Sequence, residues 1–254
     1  MDFKTNEFFK QPNEIFHISS RVPKICQEED CILGIDEAGR GPVLGPMVYG
    51  ASYYPLSMKK DLEQDKFQDS KTLSEKERSQ MFEKINSGYE IGWNATVLSP
   101  IYISNCMLKR AKYNLNSLSH DTAIALIQKA LDDGVQVKEV YLDTVGPAES
   151  YQKKLKEIFP VLKIKVSPKA DSIYKIVSVA SICAKVIRDH IIHNWVFSEG
   201  FHYENYGSGY PGDPKTKQFL KDSFDRLFGF SSFIRFSWST ASKFIEEKGI
   251  NLEW

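Results

Sequence analysis

The chain has 254 residues, and its 33 lysines and arginines balance its 33 aspartates and glutamates, so the formal net charge is zero. With 42% apolar and 26% charged residues it has the make-up of a globular protein with one sizeable core, not of a disordered or uniformly basic chain. No apolar run approaches a bilayer span, no secretory signal is expected at the N-terminus, and the four cysteines form no C-x-x-C pair, so neither zinc nor a disulfide framework is expected and the setting reads as reducing and intracellular.

Residues 1–29 are polar and mixed in charge and read as an N-terminal extension, anchored by Phe8, Phe9 and Phe16. Ile32, Leu33 and Ile35 then predict a short buried strand that ends in two adjacent carboxylates, Asp36 and Glu37. Like charges this close raise each other's pKa, a cost that a cation removes. Because neighbouring side chains in a strand face opposite ways, the two can share one metal only if the strand twists or ends at Glu37. Gly39-Arg40-Gly41-Pro42 follows, a tight turn whose amides and guanidinium suit a phosphate. Val48 to Tyr54 predicts a strand paired back on the first.

Ser74 and Glu77 have the form of a capping box, which places Lys71 in a loop just ahead of a helix. A strand is expected over 89–98, then a helix from Ser99-Pro100 to Asp133, stopped by Gly134. Within it, Asn114 interrupts good helix formers and is either the cap of a helix corner or a substrate contact. Val137 to Leu142 predicts another strand that delivers a carboxylate, Asp143, at its end. A helix over 149–159 and an alternating strand over 162–166 come next. Asp171 opens a helix running from Ser172 to Trp195, either as its N-cap or as a fourth functional acid. Ile173, Ile176, Val177, Ala180, Cys183, Ala184, Ile187 and Ile191 form its apolar stripe, with Lys175, Ser178, Lys185 and Asp189 on the opposite face. From Lys153 to Arg188 there are nine basic residues and two acids, so Lys185 and Arg188 are either a solvated face or phosphate contacts. Gly207 to Pro214 is a stiff loop presenting Tyr210, a helix is expected over 215–227, and the aromatic segment from Phe228 reads as a turn and a final helix, buried on the core or on a partner.

The run Asp36 to Pro46, DEAGRGPVLGP, resembles the signature of type 2 ribonuclease H, enzymes that cut RNA paired or joined to DNA. The likeness continues through Asp69-Ser70-Lys71, Tyr141-Leu142-Asp143, Ser178 to Lys185, and Gly207 to Pro211, and its details are closer to the eukaryotic catalytic subunit than to the bacterial single-chain enzyme. The resemblance implies a ribonuclease-H-like α/β fold, a mixed central sheet flanked by helices, over residues 30–227, with a C-terminal helical segment over 228–254 as the partner contact. It implies that Asp36, Glu37, Asp143 and Asp171 hold two Mg2+ or Mn2+ ions, for which an all-oxygen donor set is apt. It assigns the ribonucleotide junction to Gly39, Arg40 and Gly41, the 2′-hydroxyl to Tyr210, and substrate contacts to Lys71 and Asn114. The expected activity is hydrolysis of the RNA strand of hybrids and cutting 5′ of ribonucleotides embedded in DNA, leaving 3′-hydroxyl and 5′-phosphate ends, in DNA replication and ribonucleotide removal. Two non-catalytic subunits in a heterotrimer and a nuclear location are further implied.

The rival chemistries fit less well. A dinucleotide-binding turn conflicts with Pro42, Pro46 and the two carboxylates, and His120, His190, His193 and His202 show no acid–base arrangement for attack by the 2′-hydroxyl. Another two-metal nuclease of similar fold, such as a junction resolvase, or a non-catalytic nucleic-acid-binding protein remain alternatives.

Overall fold

The structure, a computed structural model, describes residues 3, 5–64, 73–88, 90–111, 113–200 and 205–250. Six strands form one mixed sheet: β1 (Phe16–Ser19), β2 (Cys31–Ala38), β3 (Met47–Pro55), β4 (Gly92–Leu98), β5 (Val137–Asp143) and β6 (Lys163–Ser167), in the spatial order β1-β4-β3-β2-β5-β6. β3 runs antiparallel to both β2 and β4, while β5 and β6 continue parallel to β2. The parallel half requires crossovers, and helices supply them. In chain order the helices are α1 (Thr5–Lys10), α2 (Ile25–Glu28), α3 (Lys59–Gln64), α4 (Glu75–Gly88), α5 (Pro100–Met107), α6 (Leu115–Asp132), α7 (Ala148–Ile158), α8 (Ala170–Ile173), α9 (Lys175–His193), α10 (Pro214–Asp222) and α11 (Ser239–Lys248).

Local chemistry explains most boundaries. The amide of Ser74 donates to Glu77 Oε2 at 2.7 Å and the amide of Glu77 returns to Ser74 Oγ at 3.3 Å, the reciprocal box that opens α4. Ser99 caps α5 by accepting from the amide of Tyr102 at 3.0 Å, with Pro100 in the first turn. The single helix expected from Ser99 to Asp133 is in fact two, because Asn114 caps α6 through the amide of Ser117 at 3.0 Å. The segment over 1–29 is more than an extension. Phe16–Ser19 adds an edge strand to β4, and the rings of Phe8 and Phe9 lie 5.9 and 5.4 Å from that of Trp195. All four cysteines are buried and free, and no described helix is long and apolar enough to cross a membrane.

α9 lies across the middle of the sheet, and two glycines admit it. A Cβ on Gly34 of β2 would stand 2.5 Å from the Ile176 carbonyl, and one on Gly50 of β3 would stand 2.5 Å from the Ala180 carbonyl. The helix backbone thus rests on bare strand backbone, and Ser52 Oγ donates to the Ile176 carbonyl at 2.8 Å. The expected two-faced helix is corrected here. Residues 176–184 are buried throughout, Ser178 included, because α4 covers the side away from the sheet, whereas Ile173 is 59% exposed and outside the stripe. Gly34→Ala forces a methyl into this contact and should cost roughly 1–3 kcal/mol. Denaturant unfolding checks it: an unchanged midpoint would show that α9 does not rest on β2 this closely.

Candidate active site

Asp36 and Asp143 come together because β2 and β5 are parallel neighbours, with Ile35 in register with Leu142. Asp143 is also paired with Ser167, the last residue of β6. Beyond Ser167 the chain turns through Lys169, whose φ of 55° is left-handed, and docks the amide of Ala170 on Asp143 Oδ1 at 3.1 Å. That turn delivers Asp171 beside the strand ends. Asp171 is not the cap of the long helix: it sits inside the short α8, and the chain breaks at Tyr174 before α9 begins.

The electrostatics show how closely these acids are gathered. Asp36 is 6% exposed and Asp171 3%. Burial, with the negative charges of Asp143 and Asp171 adding to it, pushes Asp36 up to about 7, against hydrogen bonds from the Ser181 hydroxyl and the Glu37 amide. Glu37 is pushed up to about 8 by burial and by Asp36 and Asp143, with Arg40 opposing. The strand does not stop at Glu37, since Ala38 still pairs with Val48. Asp36 therefore shares a face with α9, while Glu37 turns to the opposite face, where Tyr49 and Arg40 act on it or feel its charge. Asp143 acts on both acids, so it joins the two sides.

Among the described residues no group of three or more His, Cys, Asp and Glu side chains stands ready to hold a metal ion. The donor set nevertheless fits a hard divalent cation: the four acids offer only oxygens, and Asp36 and Glu37 are raised by burial and then by the charges of acids beside them, a state that a cation relieves. Neither zinc nor a soft metal suits this set.

The turn after β2 stands against the acids. Gly39 has a φ of 78°, and a Cβ there would meet Arg188 Nε at 2.0 Å, so both conformation and space require glycine. Arg235, fully buried, donates to the carbonyls of Gly39 at 2.6 Å, Arg40 at 3.1 Å and Gly45 at 2.9 Å. Arg188 donates to those of Pro46 at 3.0 Å and Leu44 at 3.3 Å, and Trp238 Nε1 to that of Gly41 at 3.0 Å. With the carbonyls engaged from behind, the amides of Gly39, Arg40 and Gly41 have no protein partner among the described residues. Arg40 itself is held by Asn116 Oδ1 and Ser119 Oγ of α6. The Tyr210 ring covers Gly41, where a Cβ would stand 2.9 Å from Cε1, yet it is 54% exposed. Val43 donates to the Gly209 carbonyl at 2.8 Å, tying the two loops together.

The structure thus gathers Asp36, Glu37, Asp143, Asp171, Gly39, Arg40, Gly41 and Tyr210 at one edge. Asn114 serves as a helix cap. Arg188 is half-buried, and its guanidinium donates through Nε and Nη2 to the turn's carbonyls. Lys185 is half-buried on α9. Lys71 lies outside the described residues. Sequence reasoning missed Arg235 and Trp238 as supports of the turn, and Ser181, Asn116 and Ser119 as partners of the acids and of Arg40.

A ribonuclease HII family profile matches residues 33–241. This chain belongs to the ribonuclease HII family. It is a ribonuclease H, a hydrolase of RNA. A ribonuclease H2 subunit from Bos taurus is 54% identical over 240 residues, 93% of this chain and 80% of that protein. The Homo sapiens protein of the same name is 53% identical over 239 residues, again 93% and 80%. Among solved structures, ribonuclease H2 from Pyrococcus horikoshii OT3 superposes with a TM-score of 0.71 at 28% identity, over 85% of this chain and 97% of that one. RNase HII of Archaeoglobus fulgidus, solved with PCNA, gives 0.63 at 31% identity over 75% and 85%. The expected ribonuclease-H-like α/β fold is therefore the observed one.

The raised Asp36 gives a stability test. Its folded-state pKa lies above the ordinary aspartate range, so the folded protein holds a proton that the unfolded chain releases. Stability then falls as pH rises from about 4 to about 7 and levels off above, where the charge is buried in full. In chelator, Asp36→Asn should stabilise the ribonuclease by an amount of about 1 kcal/mol or more at pH 8, shrinking towards zero near pH 4. Melting curves across that range measure it. A variant less stable than the parent at pH 8 would mean that the Asp36 charge is not buried against its neighbours.

Proposed function

We propose that this ribonuclease H hydrolyses the RNA strand of RNA/DNA hybrids and cuts 5′ of ribonucleotides embedded in DNA. What carries the reading is the placement of four neighbouring carboxylates beside a turn whose three consecutive amides have no partner among the described residues, under the half-exposed ring of Tyr210. A scissile phosphate suits the amides, and a ribose suits the ring. Glycine at 39 and 41 lets the substrate backbone approach closely, and Tyr210 can accept or donate at the 2′-hydroxyl, the group that separates RNA from DNA.

Asp36, Glu37, Asp143 and Asp171 would hold two divalent cations, Mg2+ or Mn2+, which when bound activate water and stabilise the departing 3′ oxygen. The chain's own residues do the rest. The Gly39–Gly41 amides orient the phosphate, Arg40 presents a positive charge beside Glu37, and Asp143 keeps one oxygen fixed by the amides of Thr144 at 3.0 Å and Ala170 at 3.1 Å. Histidine chemistry gains no support. His120 is stacked on Tyr151 with ring centroids 3.7 Å apart, its Nε2 is engaged by the Val145 carbonyl at 3.1 Å, and burial lowers its pKa.

The relatives are named as one subunit of ribonuclease H2, and we read this chain as the catalytic member of a heterotrimer with two non-catalytic partners, acting in the nucleus in replication and ribonucleotide removal. Much of the segment 228–250 folds back on the chain itself, with Phe230, Phe233 and Ile234 buried, so the contact expected there would fall on its outer side. Leu227, Phe228 and Ile250 are exposed, and the amide of Ile250 joins them by donating to the Arg226 carbonyl at 2.9 Å.

Asp143→Asn should abolish cleavage while leaving duplex affinity nearly intact, because it removes a charged ligand without reshaping the turn. Cutting within tenfold of the parent, or about 1.4 kcal/mol of transition-state stabilisation, would sink the assignment. Tyr210→Phe keeps the ring and loses one hydrogen bond, for which roughly 0.5–1.5 kcal/mol is expected on a single embedded ribonucleotide. Tyr210→Ala should lose far more there than on a long hybrid, where many registers can be cut. Equal losses on both substrates, tracking the melting temperature, would reduce Tyr210 to a loop-packing residue.

A further inference from the structure

A second feature begins where the Tyr210 loop ends. α10 and α11 enclose a groove of about 400 Å³ whose walls carry Lys217, Lys221 and Lys243, with the hydroxyls of Ser239 and Thr240. Pro211, the residue after Tyr210, is among the residues that line it. Ser239, the residue after Trp238, also lines it, and Trp238 is hydrogen-bonded to Gly41. The groove therefore abuts both elements that frame the substrate turn. Glu247 is the one acid on its walls, and none of the three lysines has an ion pair within 4.0 Å among the described residues. In a chain of zero net charge, three exposed, unpaired lysines in one groove form a local field of single sign.

The walls are anchored in the core. Phe219 and Leu220 of α10 and Ala241 of α11 are buried in the same apolar cluster as Val43, Leu44 and Phe233, the residues that support the turn. A duplex seated with its ribonucleotide at Gly39–Gly41 thus meets a cationic surface fixed to the same core as the cutting site. We propose that this groove binds the phosphodiester backbone of the duplex arm beyond the ribonucleotide, as an accessory phosphate track of the ribonuclease. This rests on the nuclease reading above. The chemistry selects for phosphate density and not for bases, since the groove offers cations and hydroxyls, and its one ring, Phe244, is packed on Phe224 and Phe230. Its action is to lengthen the footprint and hold the register, not to take part in the chemistry.

The test uses the chain assembled with its partner subunits, in chelator, and two duplexes with one embedded ribonucleotide, one with arms of about four base pairs and one with arms of about sixteen. Affinity is measured by fluorescence anisotropy over a salt series for the parent and for the double variant Lys217→Ala, Lys243→Ala, with melting temperatures confirming the fold. On the long-armed duplex the variant should bind at least about fivefold more weakly, with a salt slope shallower by about 1.8, or about 0.9 for each phosphate no longer neutralised. On the short-armed duplex the two proteins should be alike. Equal affinities and slopes on the long duplex overturn the proposal, as does an equal loss on both duplexes. So does a variant unchanged on DNA but weakened towards polyglutamate, which would make the groove a seat for an acidic polypeptide. Cleavage by the parent in Mg2+ separates the two readings: a parent that cuts both duplexes while its variant binds normally removes only the groove, whereas a parent that neither binds nor cuts removes both.

Discussion

A guanidinium is tolerated in a protein interior only when its donors are used, and Arg235 spends its donors on one turn. Three carbonyls, those of Gly39, Arg40 and Gly45, accept from it, and Arg188 and Trp238 take three more from the same stretch. Hydrogen bonds from a charged donor are worth about 1.5–3 kcal/mol each, so this clamp can hold a glycine-rich turn that would otherwise sample many conformations. Fixing the carbonyls also fixes the amides. The clamp turns a flexible sequence, Gly-Arg-Gly, into a rigid row of donors, and preorganised donors are what stabilise developing charge without reorganising. Burial, and after it the charge of Arg188, weakens the hold of Arg235 on its proton, a cost that the surrounding carbonyl dipoles offset.

The acids pose the opposite problem. Asp36 and Asp171 are buried as deeply as core residues, on a sheet edge where their charges add. Their positions are not free to relax, because the elements that carry them are locked elsewhere. β2 is held by α9 lying on Gly34, and Asp171 is held by the Ala170 amide on Asp143. The scaffold therefore stores an unfavourable charge arrangement next to a row of amides without a partner among the described residues. Both features favour a ligand that brings cations and phosphate together.

Much of this was legible in the sequence. Apolar runs ending in Asp36 and Asp143 gave away two strands and two acids, because strand periodicity and an abrupt carboxylate are both local signals. Asp171 was readable as an acid at a helix start, but not the break at Tyr174, since neither Tyr174 nor the left-handed Lys169 is a residue that announces such a conformation. β1 was missed for want of length: Phe16 and Ile18 alternate with His17 and Ser19, but four residues cannot be told from a loop. Arg188 read as a solvated side chain or a phosphate contact, and Arg235 was passed over, because their partners are carbonyls 142 and 190 residues away along the chain. A carbonyl leaves no mark in a sequence, so a side chain that serves backbone is invisible until the fold brings the two together.

The regularity of β2 has a consequence for the site. Had the strand ended at Glu37, the two adjacent acids could have faced one point, but pairing persists to Ala38 and places them on opposite faces of the sheet. A single cation cannot then be held by both from one side. Asp143 resolves the geometry, since its charge acts on Asp36 and on Glu37 alike from the neighbouring strand end. The acids form a chain of neighbours, Asp171 to Asp36 on one face and Glu37 on the other, with Asp143 between. An arrangement that straddles a strand edge suits two cations flanking a phosphate better than one cation at its centre. The alternation of β2, a property of any strand, thereby bears directly on how many ions the proposed chemistry would use.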